Sequence, residues 1–340
     1  MNTVLKNAGR MLVLTATILI SSCNDDDYLE SYNREELFAR PTQTELDNVH
    51  SNWNSRNLDG TDYHVEQEVN VAGTNAVLKI ISFRVNGLKE YGALLIPEEK
   101  DNLPVRVYVG GFGIDITVNS IKLLADNLSE DAFIFAFPAL RGQSLSITIN
   151  NDEYNSPTSE GEHCDAFEGA SDDVIAFLNV IERTEASANI NRTTVRGGSR
   201  GATVSLLVAA RDKRVKGAVA VAGPVDLLHL TSLMENDRTY QCQFLRDLVN
   251  TENSIEETRL KMISSSPVYF AASLPKTQLH LGQDDTIVPV SQGEELKAAM
   301  SEVGNNNLLE LFVYSGRSHQ NIATDNIELN NRINEFLKQF

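Results

Sequence analysis

The stretch Thr193-Thr194-Val195-Arg196-Gly197-Gly198-Ser199-Arg200-Gly201-Ala202 constrains this chain more than any other. A β-branched run there breaks into G-x-S-x-G and resumes as an apolar helical sequence, Thr203 to Ala210, with Arg211 and Lys213 where the end of a helix favours cations. A strand that turns at once into a helix belongs to a layered α/β structure. The turn carries its serine clear of the sheet edge, as in a nucleophile elbow. Gly197 and Gly201 allow strand and helix to cross without a Cβ between them, and Ala202 leaves room beside the turn. By itself G-x-S-x-G arises by chance in roughly one chain in ten of this length, and Ser199 would then be an ordinary helix cap. The context has to decide.

A serine hydroxyl is a weak nucleophile at neutral pH and needs a base, itself oriented by an acid. Both follow in the order Ser, Asp, His. Thr277-Gln278-Leu279-His280-Leu281 reads as a buried strand ending in the loop Gly282-Gln283-Asp284-Asp285-Thr286-Ile287-Val288-Pro289. A helix is expected from Glu294 to Met300, and a last strand over Leu308 to Tyr314. That strand opens into Ser315-Gly316-Arg317-Ser318-His319, ahead of a C-terminal helix from about Gln320 to Phe340. His319 in that loop can reach back over the sheet edge, whereas His280 sits inside a strand and reads as packed.

From about Pro104 to its end the chain resembles an α/β-hydrolase, and most closely the catalytic domain of the prolyl oligopeptidase family. The acid loop of that family reads roughly G-x-x-D-x-x-V-P, which falls on Gly282, Asp285, Val288 and Pro289 and selects Asp285 over Asp284. The resemblance implies that Ser199 forms an acyl-enzyme, that His319 takes and returns the proton, and that Asp285 orients the imidazole. It implies an oxyanion hole with the backbone N–H of Arg200 as one donor. The second donor would come from Gly110-Gly111-Phe112-Gly113, after the strand Val105 to Val109, with Gly111 or Phe112 the expected residue. The chain departs from its relatives here. Val109 replaces the histidine that often precedes such glycines, and no tyrosine lies between Gly110 and Ser129 to offer a hydroxyl donor. A hole built from backbone amides is therefore expected, as in esterases.

The formal charge of −18 argues against nucleic acid, since phosphate binding needs clustered Lys and Arg, and against electrostatic adhesion to anionic lipid. Lys6 and Arg10 precede an apolar run, Met11 to Ile20, too short to span a bilayer as a stable helix. Residues 1–22 therefore read as a signal sequence. Ile20-Ser21-Ser22-Cys23 resembles a bacterial lipobox, which implies lipid on Cys23 and a domain held in water at the cell envelope, at the outer membrane's periplasmic face or the cell surface. Membrane contact is expected only through that lipid. Cys164 and Cys242 remain. Export permits them to pair, but sequence does not set their distance. Neither has the repeated spacing of a zinc site, and no metal or cofactor is implied.

Three parts follow: the leader, a polar tether or extension over 23–60, and the α/β domain over 61–340. Roughly 320 residues beyond the leader, in a chain that is 41% hydrophobic, suffice for one large domain. Strands are expected at Tyr63–Val71, Ala76–Val85 and Tyr91–Ile96, forming an antiparallel edge. A βα alternation follows, with a strand over Ala132–Phe137, helices near Ser120–Asn127 and Ala170–Glu182, and a strand over Gly217–Val221. The fold class is thus a mostly parallel twisted sheet with antiparallel N-terminal strands, helices on both faces and a lid insertion at about 224–270. Arg141 to Phe167 also breaks the alternation, and long irregular segments of this kind tend to be functional. Its Arg141-Gly142-Gln143 resembles a motif of acetyl esterases acting on xylan and cephalosporins, although those enzymes have Gln at the position of Arg200. Arg141, Arg200 and Arg317 fall near the catalytic edge, either to meet a substrate carboxylate, Arg141 foremost, or to pair with acids such as Asp172 and Asp173. The partner expected is a small-molecule ester or a peptide. The bond cleaved stays open between ester and amide, as does a binding role without turnover. Oligomeric state is not legible.

Overall fold

The computed structural model describes residues 28–113, 115–118, 121, 124, 125 and 132–340. The middle of the sheet is formed by β4 (Leu103–Val109), β9 (Ala188–Gly198), β10 (Val215–Val221) and β11 (Lys276–Gly282), of which β10 carries apolar residues on both faces, as a strand covered by helices on both sides must. The main sheet runs β1-β2-β3-β6-β4-β9-β10-β11-β12, with β1 (Thr61–Asn70), β2 (Ala76–Val85), β3 (Leu88–Pro97), β6 (Ile134–Ala139) and β12 (Leu309–Tyr314) completing it. Pairing is antiparallel from β1 to β6 and parallel from β6 to β12, as the sequence predicts.

Alternation along β10 shows how the sheet is sandwiched. Ala218 and Ala220 join the larger core, beneath the helices α3 (Glu168–Thr184) and α4 (Arg200–Arg211). Val219 and Val221 face the other side, where Leu329, Ile333 and Phe336 of the last helix (Ile327–Leu337) cover them. That helix begins seven residues later than expected. Asn326 caps it by accepting from Leu329 N at 3.1 Å, and residues 319–325 form turns instead.

Two further expectations need correction or narrowing. The segment 141–167 is not irregular throughout: β7 (Ser144–Ile149) pairs with β5 (Asp115–Val118) on one side and β8 (Asp152–Asn155) on the other in a second, three-stranded sheet. Its alternate residues Leu145, Ile147 and Ile149 are buried, but Ser and Thr between them disguise the strand as loop. Of the tether or extension expected over 23–60, the described part is an extension packed on the domain. The helices α1 (Arg34–Leu37) and α2 (Gln43–Ser55) bury Leu37, Val49 and Trp53 against the helix Ile255–Ser264 and Phe270. Their sequence is polar because only one narrow face is buried. The leader, Cys23, and most of the helix expected near 120–127 lie outside the described residues.

Candidate active site

The elbow sits where β9 becomes α4. Ser199 has φ 52° and ψ −126°, a conformation strained for any residue with a side chain, and its amide donates to Val221 O at 2.8 Å. The flanking glycines make the turn possible. A Cβ on Gly197 would lie 2.1 Å from Gly201 O, and one on Gly201 would lie 2.2 Å from Val109 O. Neither position admits a larger residue without moving the backbone.

The loops after β11 and β12 converge on this serine. Gln283 N donates to Tyr314 O and Asp284 N to Arg317 O, both at 2.9 Å, so the acid and histidine loops are stitched together. The guanidinium of Arg317 holds the carbonyls of Asn321 and Thr324, fixing the turns after His319. The result is a continuous chain of contacts. His319 Nδ1 is 2.9 Å from Asp285 Oδ2, and His319 Nε2 is 2.9 Å from Ser199 Oγ. Asp285 Oδ1 accepts from the amides of Ile287 and Val288 at 2.9 and 2.8 Å. Burial pushes this carboxyl up, but the His319 hydrogen bond and the two amides outweigh it and hold it below the usual carboxylate range. An ionised Asp285 fixes a proton on Nδ1 and leaves Nε2 free to take the one on Oγ. Asp284 makes no such contact. His280 is wholly buried, with Nδ1 2.9 Å from the Tyr314 hydroxyl; burial first, then Arg196 and Arg332, push it down to about 3.

The expected oxyanion donors surround Ser199. The amide of Arg200, first residue of α4, has no acceptor among the described residues, and neither do those of Gly111 and Phe112. Gly111 adjoins the elbow closely: a Cβ there would lie 3.2 Å from Gly198 O and 3.7 Å from Ser199 Cβ. The loop is held by a residue to which the sequence reading gave no role. Gln143, buried, donates through Nε2 to the carbonyls of Gly111 at 3.0 Å and Gly113 at 2.9 Å. Both carbonyls are thereby taken up, and the amides are left for a developing oxyanion. Arg141-Gly142-Gln143 was the available signal.

The sequence profile of the prolyl oligopeptidase family matches residues 168–340, just over half of the chain. The chain belongs to the prolyl oligopeptidase family. Among curated protein sequences none matches. Solved structures show the same fold at low identity. Acetyl xylan esterase 1 from a Thermoanaerobacterium species superposes with a TM-score of 0.64 at 15% identity, over 89% of this chain and 96% of that one. The acylaminoacyl peptidase of Pyrococcus horikoshii gives 0.55 at 13% identity, over 82% of this chain but 49% of that one. The puromycin-hydrolysing peptidase of Mycobacterium tuberculosis gives 0.54 at 16%, over 78% and 46%. This member of the family is a serine hydrolase.

The catalytic edge of this serine hydrolase opens into a cavity of about 300 Å³, lined by Ser199 and His319 and walled by Phe112, Phe167, Met234 and Tyr240. One wall comes from the 224–270 insertion, which a disulfide between Cys164 and Cys242 (Cα–Cα 5.2 Å) fastens to the 141–167 segment. Gln243 reinforces it, accepting from Ala166 N at 2.8 Å, while Phe167 stacks on Phe244 with centroids 5.9 Å apart. The two segments that break the βα alternation are thus one unit. Among the described residues, no group of three or more His, Cys, Asp or Glu could hold a metal ion.

The three arginines part company. Of the two roles open to it, substrate contact or pairing with acids, Arg141 takes the second: Nη2 lies 2.6 Å from Asp173, Nη1 reaches Asp165, and it does not line the cavity. A guanidinium buried there requires those carboxylates. Arg317 holds carbonyls, as above. Arg200 lines the cavity and pairs with no acid among the described residues.

Proposed function

We propose that the chain cleaves a small acyl ester through an acyl-enzyme formed on Ser199. The observation that carries this reading is the pair of 2.9 Å contacts linking Ser199 Oγ, His319 and Asp285. His319 takes the hydroxyl proton as Oγ attacks the carbonyl carbon, and the amides of Arg200 and of Gly111 or Phe112 receive the oxyanion. His319 then returns the proton to the departing alcohol. Water repeats the sequence in the second half and releases the acid. An ester is favoured over a peptide by the size of the cavity and by the near full-length likeness to an acetyl xylan esterase, where the peptidases match over about half of their length. An amide of proline remains the second reading because the family profile is that of a peptidase.

Labelling with a fluorophosphonate probe tests the assignment. The wild-type chain should label, and Ser199→Ala and His319→Ala should not. A folded wild-type protein that stays unlabelled would leave a ligand-binding role in its place. Hydrolysis of p-nitrophenyl acyl esters against X-Pro amides then separates the two bonds. The lipobox-like Ile20-Ser21-Ser22-Cys23 supports export to the cell envelope and acylation at Cys23, which incorporation of labelled palmitate, abolished by Cys23→Ala, would test.

A further inference from the structure

The side chain of Arg200 is the largest fully buried one among the described residues, 1% exposed, at the edge of the catalytic cavity. Its Nε and Nη2 have no hydrogen-bond partner among the described residues. Other arginines of this protein use that same edge of the fork. Arg34 takes Glu235 through Nε and Nη2 at 3.0 Å each, and Arg259 takes Glu45 through the same atoms at 2.7 and 3.1 Å. The edge that suits a carboxylate is therefore left free on the one arginine beside the nucleophile.

No neighbour among the described residues supplies the missing anion. Burial lowers the pKa of Arg200 to about 10, opposed only by Asp173, so the group stays cationic at neutral pH. Asp173 itself is held by the backbone N–H and the guanidinium of Arg141. Asp237, the carboxylate on the cavity wall, accepts from Thr239 N at 2.7 Å and forms no ion pair with Arg200. What covers the guanidinium is the ring of Phe112, centroid 5.1 Å from Cζ, which is 43% exposed and contacts Phe167 edge-on. A buried cation without a counter-ion is costly, and a strongly acidic chain could have supplied an acid from many positions.

We propose that Arg200 is the specificity-determining residue of this hydrolase and that its substrate carries a carboxylate, or a like anion, on the acyl or the alcohol part next to the scissile bond. The inference rests on the serine hydrolase reading above. Phe112 swings aside as the substrate enters, and the guanidinium receives the anion while the adjoining amide of Arg200 serves the oxyanion.

Two matched pairs of esters test it. 4-Nitrophenyl 4-carboxybenzoate against its 4-carbamoyl analogue places the charge on the acyl part. 4-Carboxyphenyl acetate against 4-carbamoylphenyl acetate places it on the alcohol. In the wild-type protein kcat/KM should favour the carboxylate by about 10- to 150-fold in one pair, the range of a hydrogen bond to a charged group. Arg200→Met should abolish that ratio, whatever it does to the absolute rates, and Arg200→Lys should restore part of it. Benzoate should slow fluorophosphonate labelling of the wild type where benzamide does not. Equal or faster turnover of both carbamoyl esters, with labelling indifferent to benzoate, would overturn the proposal while leaving the hydrolase intact. A purely structural cation over Phe112 would make Arg200→Met lower all four rates alike, which also overturns it. Absence of both turnover and labelling would remove the hydrolase reading, and this inference with it.

Discussion

Trp53 Nε1 donates to Glu168 Oε1 at 2.8 Å across 115 residues of chain, joining α2 to the first turn of α3. The indole also lies 4.8 Å beneath the guanidinium of Arg211 and 4.4 Å from the ring of Phe270. Trp53→Phe keeps most of the packing and removes the hydrogen bond. It should cost about 1–3 kcal/mol, read as a lower urea midpoint at unchanged slope. A variant as stable as wild type would return residues 28–60 to the status of a tether.

Asp285 is held below the ordinary carboxylate range against its burial, chiefly by His319 and two amides. A carboxylate whose folded pKa is lowered adds stability above its unfolded pKa, near 3.9, and loses it as pH falls through the folded value. The stability difference between wild type and Asp285→Asn should therefore shrink on acidification from pH 6 to pH 3. Turnover by the variant should fall about 10⁴-fold at neutral pH, because the amide no longer fixes the imidazole's proton on Nδ1. Urea melts across pH and steady-state kinetics check the two halves separately.

Glu90 has the opposite sign. It is 1% exposed, its Oε1 finds no hydrogen-bond partner, and burial first, then Asp173, raise its pKa well above the usual value. The folded state then binds a proton that the unfolded chain has lost, so stability declines as pH rises from the unfolded value through the folded one. Glu90→Gln should abolish that decline. The gap in melting temperature between variant and wild type should move in favour of the variant from pH 4 to pH 9, and a constant gap would count against the raised carboxyl.

Gly201 lets the loop that begins at Gly110 approach the elbow. A methyl group there would stand 2.2 Å from Val109 O and 2.6 Å from Gly110 O, so Gly201→Ala must displace one backbone or the other. The expected cost is about 1–3 kcal/mol in stability. Fluorophosphonate labelling should slow by about 10²-fold, since an ångström of misplacement is enough. Retained labelling at the wild-type rate would mean the loop lies elsewhere during reaction.

The disulfide closes a span of 78 residues between the second sheet's loop and the helical insertion. Replacing both cysteines by serine should lower unfolding free energy by about 2–4 kcal/mol. Equal urea midpoints with and without reductant in the wild-type protein would show the bridge to be dispensable.

The elbow was legible because its information is local: a strand, two glycines and a serine must turn sharply whatever surrounds them. The order of Ser199, Asp285 and His319 was legible for a related reason, since each follows the end of a strand, and a parallel sheet brings all such ends to one edge. Near-continuous apolar runs between turn glycines likewise marked β2 and β3, both buried along most of their length, while serine and threonine between the buried positions of β7 hid the second sheet. Tertiary structure alone decided the rest. It gave Gln143 its two carbonyls, brought Cys164 to Cys242, docked Trp53 on Glu168, and separated Arg141, which has its carboxylates, from Arg200, which has none. Those contacts join residues up to more than a hundred positions apart, and no local pattern encodes a partner at that distance. Sequence fixes which groups a segment must satisfy; only the packed fold determines what is within reach to satisfy them.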